Sequence, residues 1–338
     1  MSAPLKTLLV GFGGIARGLA TDHRMAQYFP IATHAQALRA NPNFDWIGVV
    51  DPDPDARKAA ETDWQIAAFA DVADAVHLAP DVLVLATPPG ARTDALRQLP
   101  SVRAVFAEKP LGDADGTALV ALCAARAIPL QVNFWRRGDE TLNALAAGDL
   151  QRRIGTLQAA TGVYGNGLAN NGSHLIDMIR MLAGEPRWVQ ALGDVVPLAG
   201  APIAGDIQVA FALGLADNAV ISVHPLDFSR YREVALDLWG TAGRLALQQE
   251  TLDIRHLPRV QNRGLDHEQE IAADQGSVLQ CTVAETLPRL YDNLFAAASS
   301  GAPLFSPGSS ALETEHIIGL IRRSANQDNA RLALSETP

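Results

Sequence analysis

Three short stretches of this chain carry side chains suited to moving a proton or orienting a polar ligand. Glu108-Lys109-Pro110 follows an apolar run ending at Ala107, and Asn133 and Arg136 follow another ending at Val132. The third is Asn170-Asn171-Gly172-Ser173-His174, which leads into Leu175-Ile176-Asp177. A lysine ammonium can hydrogen-bond a reacting oxygen, a neutral imidazole can take its proton, and amide and guanidinium groups can orient a polar molecule. Spacing alone leaves each a plainer alternative. Glu108 and Lys109 read equally as a surface ion pair, Arg136 and Arg137 as a solvated pair, and His174 as a structural histidine.

The elements that carry these residues follow from periodicity. Leu175, Ile176, Ile179 and Leu182 recur at helical spacing, so His174 and Asp177 share a different stripe, one turn apart. Asn170, Asn171 or Ser173 is the expected cap of this helix, which places His174 in the first turn, where the helix dipole disfavours imidazolium. The run Asp81 to Ala86 reads as a strand that enters the proline-stiffened loop Thr87-Pro88-Pro89.

Upstream, Leu8-Leu9-Val10 leads into Gly11-Phe12-Gly13-Gly14-Ile15-Ala16, and a second apolar run from Trp46 to Val50 ends on Asp51. Strand, glycine turn, helix, strand and acid in that order hold the pyrophosphate and adenosine ribose of a dinucleotide. Gly11 permits the tight turn, Gly13 lets the backbone approach phosphate, Ala16 allows close packing, and a helix is expected to begin near Gly14. A carboxylate at Asp51 accepts from both ribose hydroxyls and repels a 2′-phosphate, which predicts NAD rather than NADP. Asp51 lies beyond the roughly 20 residues usual for this motif. An insertion between Thr21 and Asn41 is therefore expected, with a short extra helix at His34 to Ala40.

From Thr7 to Val132 short apolar runs alternate with amphipathic segments. Strands are predicted at Thr7 to Val10, Phe44 to Val50, Ile66 to Phe69, Val82 to Ala86, Ala104 to Ala107 and Leu130 to Val132, forming a doubly wound parallel sheet. Residues 1–132 are read as the dinucleotide-binding domain and 133–338 as a second, α+β domain with an open, mostly antiparallel sheet. Its strands are expected at Trp188 to Leu192, Ile207 to Leu213, Ala219 to Val223, Glu233 to Leu238 and Arg244 to Leu247. Its helices are expected near Asp139 to Ala147, Ser173 to Leu182, Val283 to Ser299 and Ser309 to Ser324. An open sheet covered on one side predicts a homo-oligomer, a dimer or tetramer, formed through its other face.

At 338 residues, 48% of them hydrophobic and 19% charged, the chain suits two globular domains. A net charge of -10 argues against a nucleic-acid partner. Two cysteines, Cys123 and Cys281, both in segments read as helix, show no disulfide framework and no metal spacing. The early first strand leaves no room for a signal peptide, and no apolar run reaches the roughly 18 residues of a membrane span, so a cytoplasmic location is expected.

Together these elements resemble the Gfo/Idh/MocA family of oxidoreductases along essentially the whole chain. The resemblance rests on the glycine turn, Asp51, Thr87-Pro88, Glu108-Lys109-Pro110, the Gly-Ser-His-x-x-Asp helix and the Gly240-Thr241-x-Gly243 turn. It implies a Rossmann domain and NAD(P)-dependent oxidation of a sugar or polyol hydroxyl, or the reverse reduction. It also implies a cofactor site built from Gly11 to Ala16, Asp51, Ala86, Thr87, Pro88, Glu108, Lys109 and Asn133. Lys109 would hydrogen-bond the reacting oxygen and His174 would take its proton, with Arg136, Asn170, Asn171 and Asp177 about the substrate. The family commonly has an aspartate four residues before the histidine, where this chain has Asn170. An amide cannot stabilise imidazolium as a carboxylate does. That departure leaves open altered chemistry or a non-catalytic dinucleotide-binding regulator, and the resemblance also admits an NAD-dependent glycosidase, which the family contains.

Overall fold

The computed structural model describes residues 3–21 and 25–334. They pack as two compact units: residues up to Gly138 with Ala284–Leu312, and Asp139–Val283 with Glu313 onward.

The first unit holds six parallel strands, β1 (Leu5–Val10), β2 (Phe44–Val50), β3 (Ala68–Phe69), β4 (Val82–Leu85), β5 (Ala104–Ala107) and β6 (Leu130–Val132), in the order β3-β2-β1-β4-β5-β6. Every residue of β4 and β5 is buried, as in strands covered by helices on both faces. The strand order reverses between β1 and β4. Loops leaving the carboxyl ends of those two strands diverge there and open the crevice where such folds take ligands.

The chain after β1 departs from expectation. Instead of a regular helix from Gly14, Arg17 N and Leu19 N bond to the carbonyls of Gly13 (3.0 Å) and Gly14 (3.2 Å), and a short 3₁₀ turn, Gly18–Thr21, follows. Glycines at 13, 14 and 18 make a regular helix costly here. The expected insertion spans residues 22–24, which lie outside the described residues. It continues through a helix at Met25–Tyr28 to the predicted one at His34–Ala40, which starts in a capping box formed by Thr33 and Gln36.

The helix Thr286–Ser300 belongs to this unit, burying Leu287, Leu290, Tyr291 and Leu294 beside Leu9, Phe44, Val84 and Phe106. Fully buried Gln131 of β6 ties it in. Its side chain donates to Leu290 O and Asn293 Oδ1 (both 3.1 Å) and accepts from Ser306 N (3.0 Å). Such long-range polar ties leave no trace in local periodicity, which is why a boundary read at 132 from pattern alone separates this helix from its packing partners.

The second unit holds a ten-stranded mixed sheet made of β7 (Leu157–Gly165), β8 (Trp188–Pro197), β9 (Ile207–Gly214), β10 (Val220–Leu226), β11 (Ala235–Gly240), β12 (Gly243–Gln248), β13 (Asp253–Gln261), β14 (Gln269–Ile271), β15 (Ser277–Val278) and β16 (Leu332–Ala333). All its pairings are antiparallel except that of β7 with β10. Central β7 escapes the sequence reading because small residues and two glycines give it weak strand character. Gly162 has a packing reason, since a Cβ there would lie 3.1 Å from Leu175 Cδ2 on the helix Ser173–Ala183. That helix and Gly308–Ala325 contribute Ile176, Ile179, Ile317 and Ile321 to the core. Leu192, Val196, Val220 and Trp239 of the sheet are exposed. Cys281 is not helical as expected; it is an exposed thiol ahead of the 3₁₀ turn Val283–Glu285, whereas Cys123 is buried in the helix Asp113–Ala125.

Candidate active site

The glycine turn is shaped by its neighbours. Gly11 has φ +89°, and a Cβ there would lie 2.7 Å from Ala86 O and 2.9 Å from Thr87 Cγ2, so only glycine lets the exits of β1 and β4 approach. At Gly13 and Gly14 an added Cβ would meet nothing within 4 Å among the described residues. Backbone faces open space there, as a phosphate cradle requires. Ala16 is fully buried, and its carbonyl and that of Ile15 accept from Ala35 N (3.0 Å) and His34 N (3.4 Å), docking the extra helix on the turn. Asp51 braces the same turn: Oδ2 accepts from Phe12 N at 2.6 Å and Oδ1 from Asp53 N at 2.8 Å. Each carboxylate oxygen keeps further lone-pair capacity for a ribose hydroxyl.

The loops after β4 and β5 are joined by Arg92, a buried arginine that sequence spacing did not single out. Its guanidinium donates to Glu108 O (2.6 Å), to Pro110 O (2.7 Å) and, through Nε at 3.0 Å and Nη2, to Thr87 O. Asp115 fixes the approach to Arg92 by accepting from Gly90 N (2.8 Å), Thr93 N (3.2 Å) and Arg92 N (3.3 Å). Burial pushes the Asp115 carboxyl up, but hydrogen bonds from Thr93, Gly90 and Arg92 outweigh it and hold it below the usual carboxylate range.

The surface-pair reading of Glu108 is wrong. Its side chain is buried and accepts at Oε1 from Asn133 Nδ2 (2.6 Å) and from the ring of His34 Nε2 (2.9 Å). Burial pushes its carboxyl up, yet the hydrogen bonds from His34 and Asn133 and the charge of Lys109 prevail, and Glu108 titrates below the ordinary glutamate range. Lys109 is half-buried next to this carboxylate, at the carboxyl end of β5. Beyond His34 the network ends in the buried hydroxyl of Tyr291, 2.8 Å from Nδ1. The Asn133 amide nitrogen is thus committed to Glu108, while Asn133 Oδ1 and Thr87 Oγ1 are buried with no partner among the described residues. Arg136 is buried over the Trp135 ring at 4.1 Å, so the solvated-pair reading fails for it as well.

In the second unit, Asn170 and Asn171 lie in a wide helical turn, Leu168–Gly172, that runs directly into Ser173–Ala183. His174 therefore follows a preceding turn rather than standing among the free amides of a helix start. The N-cap position falls on Gly172 rather than on either asparagine or Ser173, and Ser173 Oγ donates to Asn170 O at 2.6 Å. The capping carboxylate is Asp206, missed in sequence because it lies 36 residues from Asn170. Its fully buried side chain accepts from Ala169 N (3.0 Å), Asn170 N (3.0 Å), Ile207 N (2.9 Å) and Arg322 Nη2 (3.1 Å). Gly167 admits it, since a Cβ there would lie 2.0 Å from Asp206 Oδ2. The Asn170 amide nitrogen donates to Asn166 O (3.1 Å), and Asn171 Nδ2 is buried without a partner among the described residues. Asp177 is buried beside Thr314 and Arg180.

Residues 5–134 match the oxidoreductase family with an NAD-binding Rossmann fold, GFO/IDH/MocA, and residues 146–246 match the GFO/IDH/MocA C-terminal domain, together more than half of the chain. The chain belongs to the GFO/IDH/MocA family. This family member is therefore an oxidoreductase whose first unit carries the NAD-binding fold. No curated protein matches its sequence. Among solved structures it is similar to the WlbA dehydrogenase from Bordetella pertussis in complex with NADH and UDP-GlcNAcA, at 20% identity over 98% of this chain and 99% of that one with a TM-score of 0.71. A levoglucosan dehydrogenase with NADH and levoglucosan aligns at 18% identity over 98% and 100% with a TM-score of 0.74. An oxidoreductase from Agrobacterium radiobacter with NAD+, L-tartaric acid and magnesium aligns at 18% over 97% and 98%, with a TM-score of 0.73. The open backbone at Gly13 and Gly14 and the unpartnered Thr87 Oγ1 and Asn133 Oδ1 fit a dinucleotide that brings both phosphates and a carboxamide.

Proposed function

We propose that this GFO/IDH/MocA oxidoreductase is an NAD-dependent dehydrogenase of a sugar, polyol or sugar derivative, with NADP disfavoured. Bound NAD supplies the hydride acceptor. Lys109 hydrogen-bonds the reacting oxygen, and His174 exchanges its proton. Gly13 and Gly14 give the phosphates open backbone, Asp51 takes the adenosine ribose, and Asn133 the nicotinamide amide. Arg136, Asn170, Asn171 and Asp177 complete the substrate set. The observation that carries the reading is the setting of Lys109: it leaves β5 beside a buried, ionised Glu108 while Arg92 holds the carbonyls on either side. A surface ion pair needs no such framework.

A screen of sugars, sugar acids and nucleotide sugars followed by NADH absorbance tests the activity, and Lys109→Ala tests the assignment. Turnover on the responding substrate should fall at least the roughly 100-fold typical of losing a general acid-base group, with NAD affinity within a few-fold. Near wild-type turnover of that variant would remove Lys109 from the chemistry. NAD binding with no reduction by any carbohydrate would point to a regulator, and release of a leaving group without net NADH to a glycosidase. We also propose a cytoplasmic homo-oligomer formed through the sheet face bearing Leu192, Val196, Val220 and Trp239. A monomer in sedimentation at micromolar concentration would exclude that assembly.

A further inference from the structure

His34 sits in the inserted segment between β1 and β2, where the strand-turn-helix pattern assigns no role, yet it is fully buried and both ring nitrogens are engaged. An ionised Glu108 only accepts, so Nε2 carries the proton shared with Oε1 at 2.9 Å. The fully buried Tyr291 hydroxyl then donates to Nδ1 at 2.8 Å, which leaves no donor in the series without an acceptor. Asn133 Nδ2 donates to the same Oε1, so the amide is held with Oδ1 as its remaining, unpartnered acceptor.

We propose that His34 and Tyr291 are positioning residues for the nicotinamide end of the cofactor site, a role that rests on the dehydrogenase reading above. Tyr291 orients the imidazole, the imidazole orients the Glu108 carboxylate, and Glu108 decides which way the Asn133 amide faces while keeping negative charge beside Lys109. A buried carbonyl oxygen without a partner requires a donor. The carboxamide N–H of nicotinamide supplies one; ADP-ribose, identical through both phosphates, does not.

The rings themselves are core. Tyr291 packs edge-on against Phe106 (4.8 Å between centroids) and Phe44 (5.3 Å), and His34 against Phe106 (5.2 Å). Tyr291→Phe therefore removes only the hydroxyl, and paired affinities for NADH and ADP-ribose separate positioning from folding. NADH affinity should fall about fivefold in Tyr291→Phe and about tenfold or more in His34→Phe, the scale of one lost buried hydrogen bond, and kcat should fall with it. ADP-ribose affinity should stay within about twofold in both, as expected when its own contacts are untouched. His34→Gln, which offers an N–H back to Glu108, should recover part of the NADH affinity. Unchanged NADH affinity in both Phe variants, or loss of ADP-ribose affinity in parallel with NADH, would overturn the proposal. Should His34→Phe not fold, Tyr291→Phe decides alone. If the wild-type protein oxidises no carbohydrate, the dehydrogenase reading fails, while the two affinities still report on the relay.

Discussion

The Arg92 guanidinium donates to the main-chain carbonyl of Glu108 at 2.6 Å, and with its bonds to Thr87 O and Pro110 O it makes one side chain the hinge pin of two strand exits. A lysine placed there offers a single nitrogen and cannot span three carbonyls. Arg92→Lys should cost about 2–4 kcal/mol of unfolding free energy, because buried acceptors are left unpaired at about 1–3 kcal/mol each. It should also lower kcat more than NAD affinity, since Lys109 lies between the two carbonyls released. Equal denaturation midpoints for variant and wild type would contradict the first expectation, and unchanged kcat the second.

In the proposed reading, cofactor choice turns on Asp51. The carboxylate braces the glycine turn through Phe12 N and Asp53 N, so it is held in place at the end of β2 rather than free to swing away. NAD should bind more tightly than NADP, and Asp51→Ser should erase that preference while weakening NAD several-fold. Equal affinities of the wild-type protein for both dinucleotides in a fluorescence titration would refute the assignment.

Acid should act on the first unit through Glu108. Its carboxyl titrates lower in the folded chain than in the unfolded one, where a glutamate titrates near about 4.3. The ionised form therefore contributes stability that is complete above about pH 4.3 and is lost as pH falls through the folded value. Glu108→Gln keeps the shape but abolishes this dependence. The gap in unfolding free energy between wild type and Glu108→Gln should narrow steadily below about pH 4.3. A gap independent of pH between 3 and 7 would show that the carboxylate contributes nothing through its charge.

What could be read from sequence was local. The glycine turn, the bounds of β2, β5 and β6, the short helix at His34–Ala40 and the helix carrying His174 all follow from spacing, since each is set by residues within one element or its neighbour. The partners that give the site its electrostatics are distant. His34 is 74 residues from Glu108 and 257 from Tyr291, and Asp206 is 36 from Asn170. No periodicity links such positions, and His34 carries no mark in sequence beyond sitting in an insertion. Central β7 was missed for the opposite reason, because close packing against Leu175 selects small residues that weaken the strand signal.

The departure at Asn170 offers the sharpest test of His174. Asn170 Nδ2 donates to Asn166 O, and its main-chain N–H bonds the Asp206 carboxylate, so the position already sits near one negative charge. Asn170→Asp replaces a donor with an acceptor facing the Asn166 carbonyl and adds a second carboxylate near the first. The variant should lose about 1–2 kcal/mol of stability for the broken hydrogen bond and like-charge repulsion. If His174 is the working base, the new charge four residues earlier favours its protonated form, and the limb of the pH-rate profile that it controls should move to higher pH. His174→Ala should abolish that limb. Stability and pH profile answer different questions: a stability loss with an unmoved limb would mean the added charge acts on Asp206 and not on the imidazole. An unmoved limb together with substantial turnover in His174→Ala would make His174 structural and leave the proton to Lys109 or water. A moved limb that vanishes with the imidazole would establish that this chain runs its base without the usual carboxylate, at a pH its asparagine has set.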